Sequence, residues 1–312
     1  MPDAFTTPGI SDKPRIAVLM AAWNGMPWIG EQIDSILHQR NVDIELYVSV
    51  DPGTDGTADY LRDRALHDAR VNILSDAGTF GCAARNFYRL FRDVDLCGYD
   101  YIAISDQDDI WKPDKLTHAC TLSARNKAVA YSGGVTAIWQ NGRQKKLRKA
   151  QPQRELDFVF EAAGPGCTYV FGRNFALEIQ HFLQNEAAEV NSIRAHDWLF
   201  YAFCRSRGYT WYIDTQSHVL YRQHSGNEIG ANCGLHGIQR RVKMLRSGWY
   251  RSQIRQIVAV CAMKDNYAVR LALSEAWVDR LMALKHIHKM RRRSRDRCLL
   301  ALLILSGQMK GN

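Results

Sequence analysis

Nowhere does this 312-residue sequence run without charge for the roughly 20 residues that a bilayer-spanning helix requires. Its opening stretch, MPDAFTTPGISDKPR, holds no apolar run of signal-peptide length. Both absences lead to the expectation of a cytoplasmic protein. The eight cysteines (Cys82, Cys97, Cys120, Cys167, Cys204, Cys233, Cys261 and Cys298) form no CxxC and no Cys/His pairing. That argues against a disulfide framework or a zinc finger and for reduced, mostly packed thiols. RNP and zinc-finger patterns are lacking as well, so the formal net charge of +9 is no evidence for nucleic-acid binding. An anionic partner of another kind, phospholipid or phosphorylated small molecule, fits the charge equally well.

What is there is a globular chain, 46% hydrophobic, long enough for one large core or for a core domain with a smaller appendage. The basic residues concentrate late, in RRVKMLRSGWYR (Arg240 to Arg251) and KHIHKMRRRSRDR (Lys285 to Arg297), while the acids lie mainly in the first two thirds. The first hundred residues alternate strand and helix. RIAVLMA (Arg15 to Ala21) reads as a buried strand, and the helix after it starts near Pro27 with Ile29, Ile33, Ile36 and Leu37 on one face. IELYVSV (Ile44 to Val50) is a second strand, followed by the loop DPGTDGT and a helix capped by Asp55 or Thr57. VNILS and CAARNFYRLFRD give a third strand and helix, and DYIAI (Asp100 to Ile104) a fourth strand. This is an α/β pattern with a parallel sheet.

The stretch ISDQDDIW therefore places Asp106, Asp108 and Asp109 at the carboxyl end of a central strand, the edge where open α/β sheets bind ligands. Carboxylates gathered there raise one another's pKa unless a cation or hydrogen-bond donors compensate. Hard oxygen ligands without thiolates or clustered imidazoles favour Mg2+ or Mn2+, whose shell is completed by substrate phosphate and water. An acidic turn that caps the following helix is the plainer alternative. Asp51 ends the second strand at the same edge, where a carboxylate can accept hydrogen bonds from a base or ribose, and AAWNG after the first strand completes three consecutive strand ends. A nucleotidyltransferase also uses such a sheet and magnesium, but its glycine-rich first loop is replaced here by AAWNG.

AAWNGMPWIGEQIDSILHQ, SVDPGTDGT, ISDQDDIWKPDKL, GPGCTYVFGR, HDWLFY and YRQHSGN, in this order, resemble family-2 glycosyltransferases, most of all bacterial rhamnosyltransferases of lipopolysaccharide and surface-polysaccharide assembly. The resemblance covers roughly residues 14–230. It implies a GT-A fold: a Rossmann-like nucleotide-binding mixed sheet flanked by helices, here with a helical basic C-terminal extension. It also implies a metal-dependent inverting transfer, with L-rhamnose from dTDP-L-rhamnose as the expected donor and a lipopolysaccharide or other surface glycan as acceptor. Position by position, it implies Ala22 and Asp51 at the base and ribose, Asp106 at the sugar nucleotide, Asp108 and His224 at the metal with Asp109 as helper, and Asp197 of HDW as the base. Arg85 is expected either toward the diphosphate or in solvent, Thr168 on the acceptor side, His196 either orienting the acceptor or as a partly buried structural ring, and Trp111 either as a floor beneath the acceptor sugar or as an anchor of the loop in the core. The second loop departs from the pattern, since VDPG stands where the family commonly has DDGS; Pro52 removes a backbone donor there.

Three regions are expected: a tail (1–13), a catalytic domain (14–230) and a helical basic region (231–312). The basic run before CLLALLIL reads either as an interfacial helix on an anionic membrane, delivering the enzyme to a lipid-linked glycan acceptor at the inner leaflet, or as a helix packed on the catalytic domain. A UDP-hexose transferase, or a sugar-nucleotide-binding protein without turnover, are the competing readings.

Overall fold

The computed structural model describes residues 13–147, 150–186, 190–224 and 247–309. Nearly all of the expected tail, the end of the YRQHSGN motif after His224, Cys233 and the start of the first basic segment lie outside the described residues.

Ile16 to Met20 are apolar without interruption, so the strand they form must be covered on both faces, and all five are fully buried in Arg15–Ala22 (β1). β1 pairs in parallel with Asp43–Val50 (β2) on one side and Tyr101–Ser105 (β4) on the other, and β2 pairs in parallel with Val71–Ile73 (β3). The crossovers are Ile29–Leu37 (α1), Thr57–His67 (α2) and Ala83–Asp93 (α3). α1 buries Ile29, Ile33, Ile36 and Leu37, the expected stripe; each such side chain contributes about 1.5–3 kcal/mol by leaving water. At the start of α2, Asp55 is the capping group: its Oδ1 accepts both the amide (3.0 Å) and the hydroxyl (2.6 Å) of Thr57.

Beyond β4 the sheet is mixed. Val170–Gly172 (β8) runs antiparallel to β4, followed by Ala130–Trp139 (β6), Trp211–Gln223 (β9) and the short Ile110–Trp111 (β5), giving the order β3-β2-β1-β4-β8-β6-β9-β5 with Gln144–Leu147 (β7) on β6. Lys115–Arg125 (α4), Asp157–Phe160 (α5), Arg173–Asn185 (α6) and His196–Ser206 (α7) complete the body. β4 is central, as its apolar content requires, and the acidic stretch leaves its carboxyl end.

The C-terminal helices are Trp249–Val260 (α8), Tyr267–Leu273 (α9), Trp277–Ala283 (α10), Ile287–Met290 (α11) and Ser294–Leu305 (α12). Ile254, Ile257, Val269, Met290, Leu300, Leu303 and Ile304 share one core with Phe171 and Phe200 of the catalytic body. The late basic run is partly internal: Arg292 donates to the carbonyls of Ala162 and Ala163 and stands 3.7 Å from the fully buried carboxylate of Asp157. Asp157 also accepts from Tyr201 (3.0 Å) and Arg205 (3.4 Å). Within α12, Leu300, Leu303 and Ile304 pack inward, while Leu302 is 65% exposed. It shares that exposure with Trp277, Val278 and Leu281 of α10, the helix tied to α12 by the Arg280 guanidinium on the Leu305 carbonyl (3.1 Å).

Candidate active site

The acidic loop is fastened to its surroundings on two sides. On one, Gln107, the residue between the acids, holds the backbone of Trp23 like a strand partner: its Oε1 accepts the Trp23 amide (2.8 Å) and its Nε2 donates to the Trp23 carbonyl (2.7 Å). On the other, the end of β9 meets the loop at three points. The Arg222 amide donates to Asp109 Oδ1 (3.2 Å), the Arg222 guanidinium to the Asp108 carbonyl (3.0 Å), and His224 Nε2 lies 2.7 Å from Asp108 Oδ2. The Arg222 guanidinium also reaches Glu31 of α1, and Trp28 stacks on the His224 imidazole with ring centroids 3.7 Å apart. Residues 116 positions apart are thus held as one carboxylate–imidazole pair.

Behind this pair the acids crowd. Ligand-type atoms of Asp106, Asp109 and Cys167 all lie within 4.8 Å of one another. Burial, then the charges of Asp108 and Asp106, push the pKa of Asp109 well above the usual carboxylate range, against the opposing pull of the Cys167 thiol and the Arg222 amide. Lys115 is buried beneath, its ammonium 3.3 Å from the centre of the Trp111 ring, and burial lowers its pKa to about 7.

Asp51 and Ala22 sit at neighbouring strand ends, joined by the Asp51 amide on the Ala22 carbonyl (2.8 Å). Both oxygens of Asp51 are engaged, one by the Phe80 amide and one by the Gly81 amide, each at 2.9 Å. The carboxylate fixes the chain entering α3 against the end of β2, and Ala22, 2% exposed, contributes little beyond its small size. The exposed aromatic at this edge is Trp23 (57%).

The turn Gly166–Thr168 links the acids to the expected base. Cys167 lies beside Asp109, and one residue earlier Gly166 lies against α7: a Cβ there would come within 3.4 Å of the Asp197 Cβ and 2.7 Å of His196 Nε2. Asp197 is in the first turn of α7, where its Oδ1 accepts the Trp198 amide (2.8 Å), and its charge raises the pKa of Tyr88 and Tyr169 after the larger effect of their burial.

Several expected positions are placed otherwise than the motifs implied. Trp111 is a core residue, 2% exposed in β5, and offers no floor to an acceptor. Thr168 is 2% exposed and its hydroxyl donates to the Pro165 carbonyl (2.7 Å), closing its own turn. The His196 ring packs on Phe87 (4.3 Å between centroids), and burial holds its pKa down at about 3, so it is a neutral packing group beside Asp197. Arg85 donates through Nε to the Asn191 carbonyl (3.0 Å), toward the segment that precedes α7. Sequence reading missed Gln107, Trp23 and Arg222. Their signal was adjacency alone, to the DxD acids, to AAWNG and to His224.

A mixed sheet with converging loops at its carboxyl edge, acids clustered there and a carboxylate–imidazole pair among them, is the architecture of the GT-A glycosyltransferases. Solved structures of that class superpose on this chain: S. aureus TarS in complex with UDP (TM-score 0.55, 11% identity, covering 95% of this chain and 89% of that one) and the mannosyltransferase PcManGT from Pyrobaculum calidifontis in complex with GDP-Man and Mn2+ (TM-score 0.51, 16% identity, 96% and 86%). The family model described as "Glycosyltransferase like family 2" matches residues 14–191. The chain belongs to that family and is a glycosyltransferase. It is similar to the dTDP-rhamnosyl transferase RfbG of Shigella flexneri, 40% identical over 92% of this chain and 99% of the relative. Weaker similarity, 26% identity over 51% of this chain and 60% of the relative, links it to the Escherichia coli enzyme UDP-Glc:alpha-D-GlcNAc-diphosphoundecaprenol beta-1,3-glucosyltransferase WfgD.

Proposed function

We propose that this enzyme transfers L-rhamnose from dTDP-L-rhamnose to a bacterial surface glycan, with inversion at the anomeric carbon. Similarity along nearly the whole length of a dTDP-rhamnosyl transferase is the observation that carries the donor. The lipopolysaccharide or lipid-linked acceptor rests on the resemblance of the motifs.

The residues fit a divalent cation. Asp108 Oδ2 and His224 Nε2 stand 2.7 Å apart and would face one ion, while on the same loop Asp106 brings a carboxylate oxygen within 4.8 Å of ligand atoms of Asp109 and Cys167. An oxygen-dominated set with one imidazole favours Mn2+ over Mg2+. When bound, the ion supplies Lewis-acid neutralisation of the leaving diphosphate. The chain does the rest. Gln107 and Arg222 hold the acidic loop so that its carboxylates keep their geometry, and Asp51 fixes the loop that walls the nucleotide side. Asp197 takes the acceptor hydroxyl proton as the oxygen attacks the anomeric carbon, while the glycosidic electron pair departs with the nucleoside diphosphate. Neutral His196 keeps Asp197 next to an apolar ring rather than a second charge.

Membrane apposition belongs to the same reading. Trp277, Val278 and Leu281 of α10 and Leu302 of α12 are exposed apolar side chains, with Lys285 just after α10 and Arg295 on α12, a composition suited to the interface of an anionic leaflet where a lipid-linked acceptor resides.

The test is transfer from purified dTDP-L-rhamnose against UDP-glucose, with a chelator-treated control. Rhamnose transfer dependent on added manganese is expected; turnover of UDP-glucose alone would move the donor to a hexose.

A further inference from the structure

At the opposite end of β9 from His224, a second group of metal-type ligands comes together that the transfer reaction does not use. His118 from α4 and Asp214 and His218 from β9 present ring nitrogens and a carboxylate oxygen all within 4.8 Å of one another. His118 Nε2 lies 2.7 Å from Asp214 Oδ2, and the His118 and His218 rings stack with centroids 4.2 Å apart. Their side chains are 21%, 7% and 13% exposed, enclosed yet reachable from solvent. His218 precedes His224 by six residues, roughly 20 Å of extended strand, and Asp214 lies farther back, so the cluster stands apart from the Asp108–His224 pair.

The bulge is what builds it. Between Ser132 and Gly134 of β6, the partners on β9 jump from Ile213 to Ser217, so the stretch containing Asp214 loops out of register. A Cβ on Gly134 would come within 3.0 Å of the Gln216 carbonyl and 3.1 Å of that of Thr215; glycine lets the bulge close on β6. The outer contacts orient each group. Asp114 Oδ1 lies 3.1 Å from His218 Nδ1, leaving Nε2 as the remaining ring nitrogen, the carboxylate–histidine arrangement common behind metal ligands. The Tyr131 hydroxyl (3.0 Å) and the Gln216 amide (3.0 Å) both donate to Asp214.

We infer that His118, Asp214 and His218 form a zinc site distinct from the catalytic centre, with water as the fourth ligand. Two imidazoles and one carboxylate without thiolate suit Zn2+, in contrast to the oxygen-rich set at Asp108. Small adjustments of the two rings bring their nitrogens onto one ion. The site pins α4, which follows the acidic loop, to β9, which carries Arg222 and leads into His224, and so fixes the relative position of two elements that flank the acidic loop.

The experiment uses untagged, chelator-stripped full-length protein carrying Asp108→Asn together with Asp106→Asn, which removes a carboxylate from each group of ligand atoms at the active site, titrated with Co2+ as a spectroscopic stand-in for Zn2+. One equivalent with the visible bands of four-coordinate cobalt is expected, displaced by Zn2+ and accompanied by a rise in melting temperature. Adding His118→Gln or His218→Gln should abolish the bands, and adding Asp114→Asn should weaken binding about 10–100-fold. Absence of stoichiometric binding in the doubly substituted protein, or binding indifferent to the histidine substitutions, overturns the assignment. Should a histidine variant fail to fold, the titration of the doubly substituted protein and the Asp114→Asn shift still decide.

Discussion

Two buried acidic sites in this chain are built on opposite terms. Asp157, beneath the C-terminal helices, is surrounded by what a carboxylate needs: two arginines and a tyrosine hydroxyl. At the sheet edge Asp108 has the His224 imidazole, but Asp109 behind it is crowded by the charges of Asp108 and Asp106, and the nearby lysine, Lys115, stands over an indole ring. At the first site the arginines oppose the burial that still raises the Asp157 pKa, and the cluster acts as a joint between the catalytic body and the helices after residue 249. The second concentrates like charge where the nucleotide side opens, a cost borne by a folded chain only where a ligand offsets it. Opposed charge marks structure, and excess of one charge marks function.

Variants on each side sharpen that difference. Asp197→Asn removes the proposed acceptor of the proton and should lower kcat by about 10²–10⁴ while donor affinity stays within about twofold, read by initial rates and calorimetry. Near-normal turnover would remove Asp197 from its role. Arg292→Ala acts on the other site: it removes the guanidinium shared by Asp157 and Glu161, leaving Asp157 with Arg205 and Tyr201, and should cost about 3–5 kcal/mol of stability in chemical denaturation with donor binding per folded molecule unchanged. If the loss is below 1 kcal/mol, the joint is not electrostatic. Gly166→Ala pushes a methyl group into the space of His196 Nε2 and against Asp197; a displacement near 1 Å should lower kcat by about 10² with little change in donor affinity.

A pH-dependent effect separates His196 from its charged neighbours. Its folded pKa lies near 3, below the unfolded value of 6.5, so the unfolded chain binds the extra proton. Native stability therefore falls as pH drops from 6.5 toward 3, by at most about 1.4 kcal/mol per unit from this residue. His196→Gln should flatten that part of the denaturation profile. An unchanged slope would mean that the ring takes up its proton in the folded state.

The first half of the fold was legible because its signals are local. Uninterrupted apolar runs make strands that must be buried on both sides, and the spacing of Ile29, Ile33, Ile36 and Leu37 can only be a helix face. The acids could be located for the same reason, since they end a strand whose burial is evident. What could not be read was which partner each polar group finds across the chain. Trp111 and Thr168 were assigned to an acceptor by their motifs, yet one is committed to the core and the other to its own turn. For Arg291 and Arg292 the sequence leaves open a membrane-facing or a packed basic run, because nothing in their neighbourhood announces Glu161 and Asp157, more than a hundred residues earlier. The convergence of His118 with Asp214 and His218 was invisible for the same reason, and it depends further on a bulge that leaves no periodic trace.

The central claim is that the acids after β4, with His224, hold a cation against a nucleoside diphosphate. Calorimetric titration of dTDP into the protein, with and without Mn2+ and repeated on His224→Ala, tests it most directly. The account predicts binding that needs manganese, exceeds that of UDP, and weakens at least tenfold in the variant, about 1.4 kcal/mol. Binding of dTDP that ignores both manganese and His224 would contradict it.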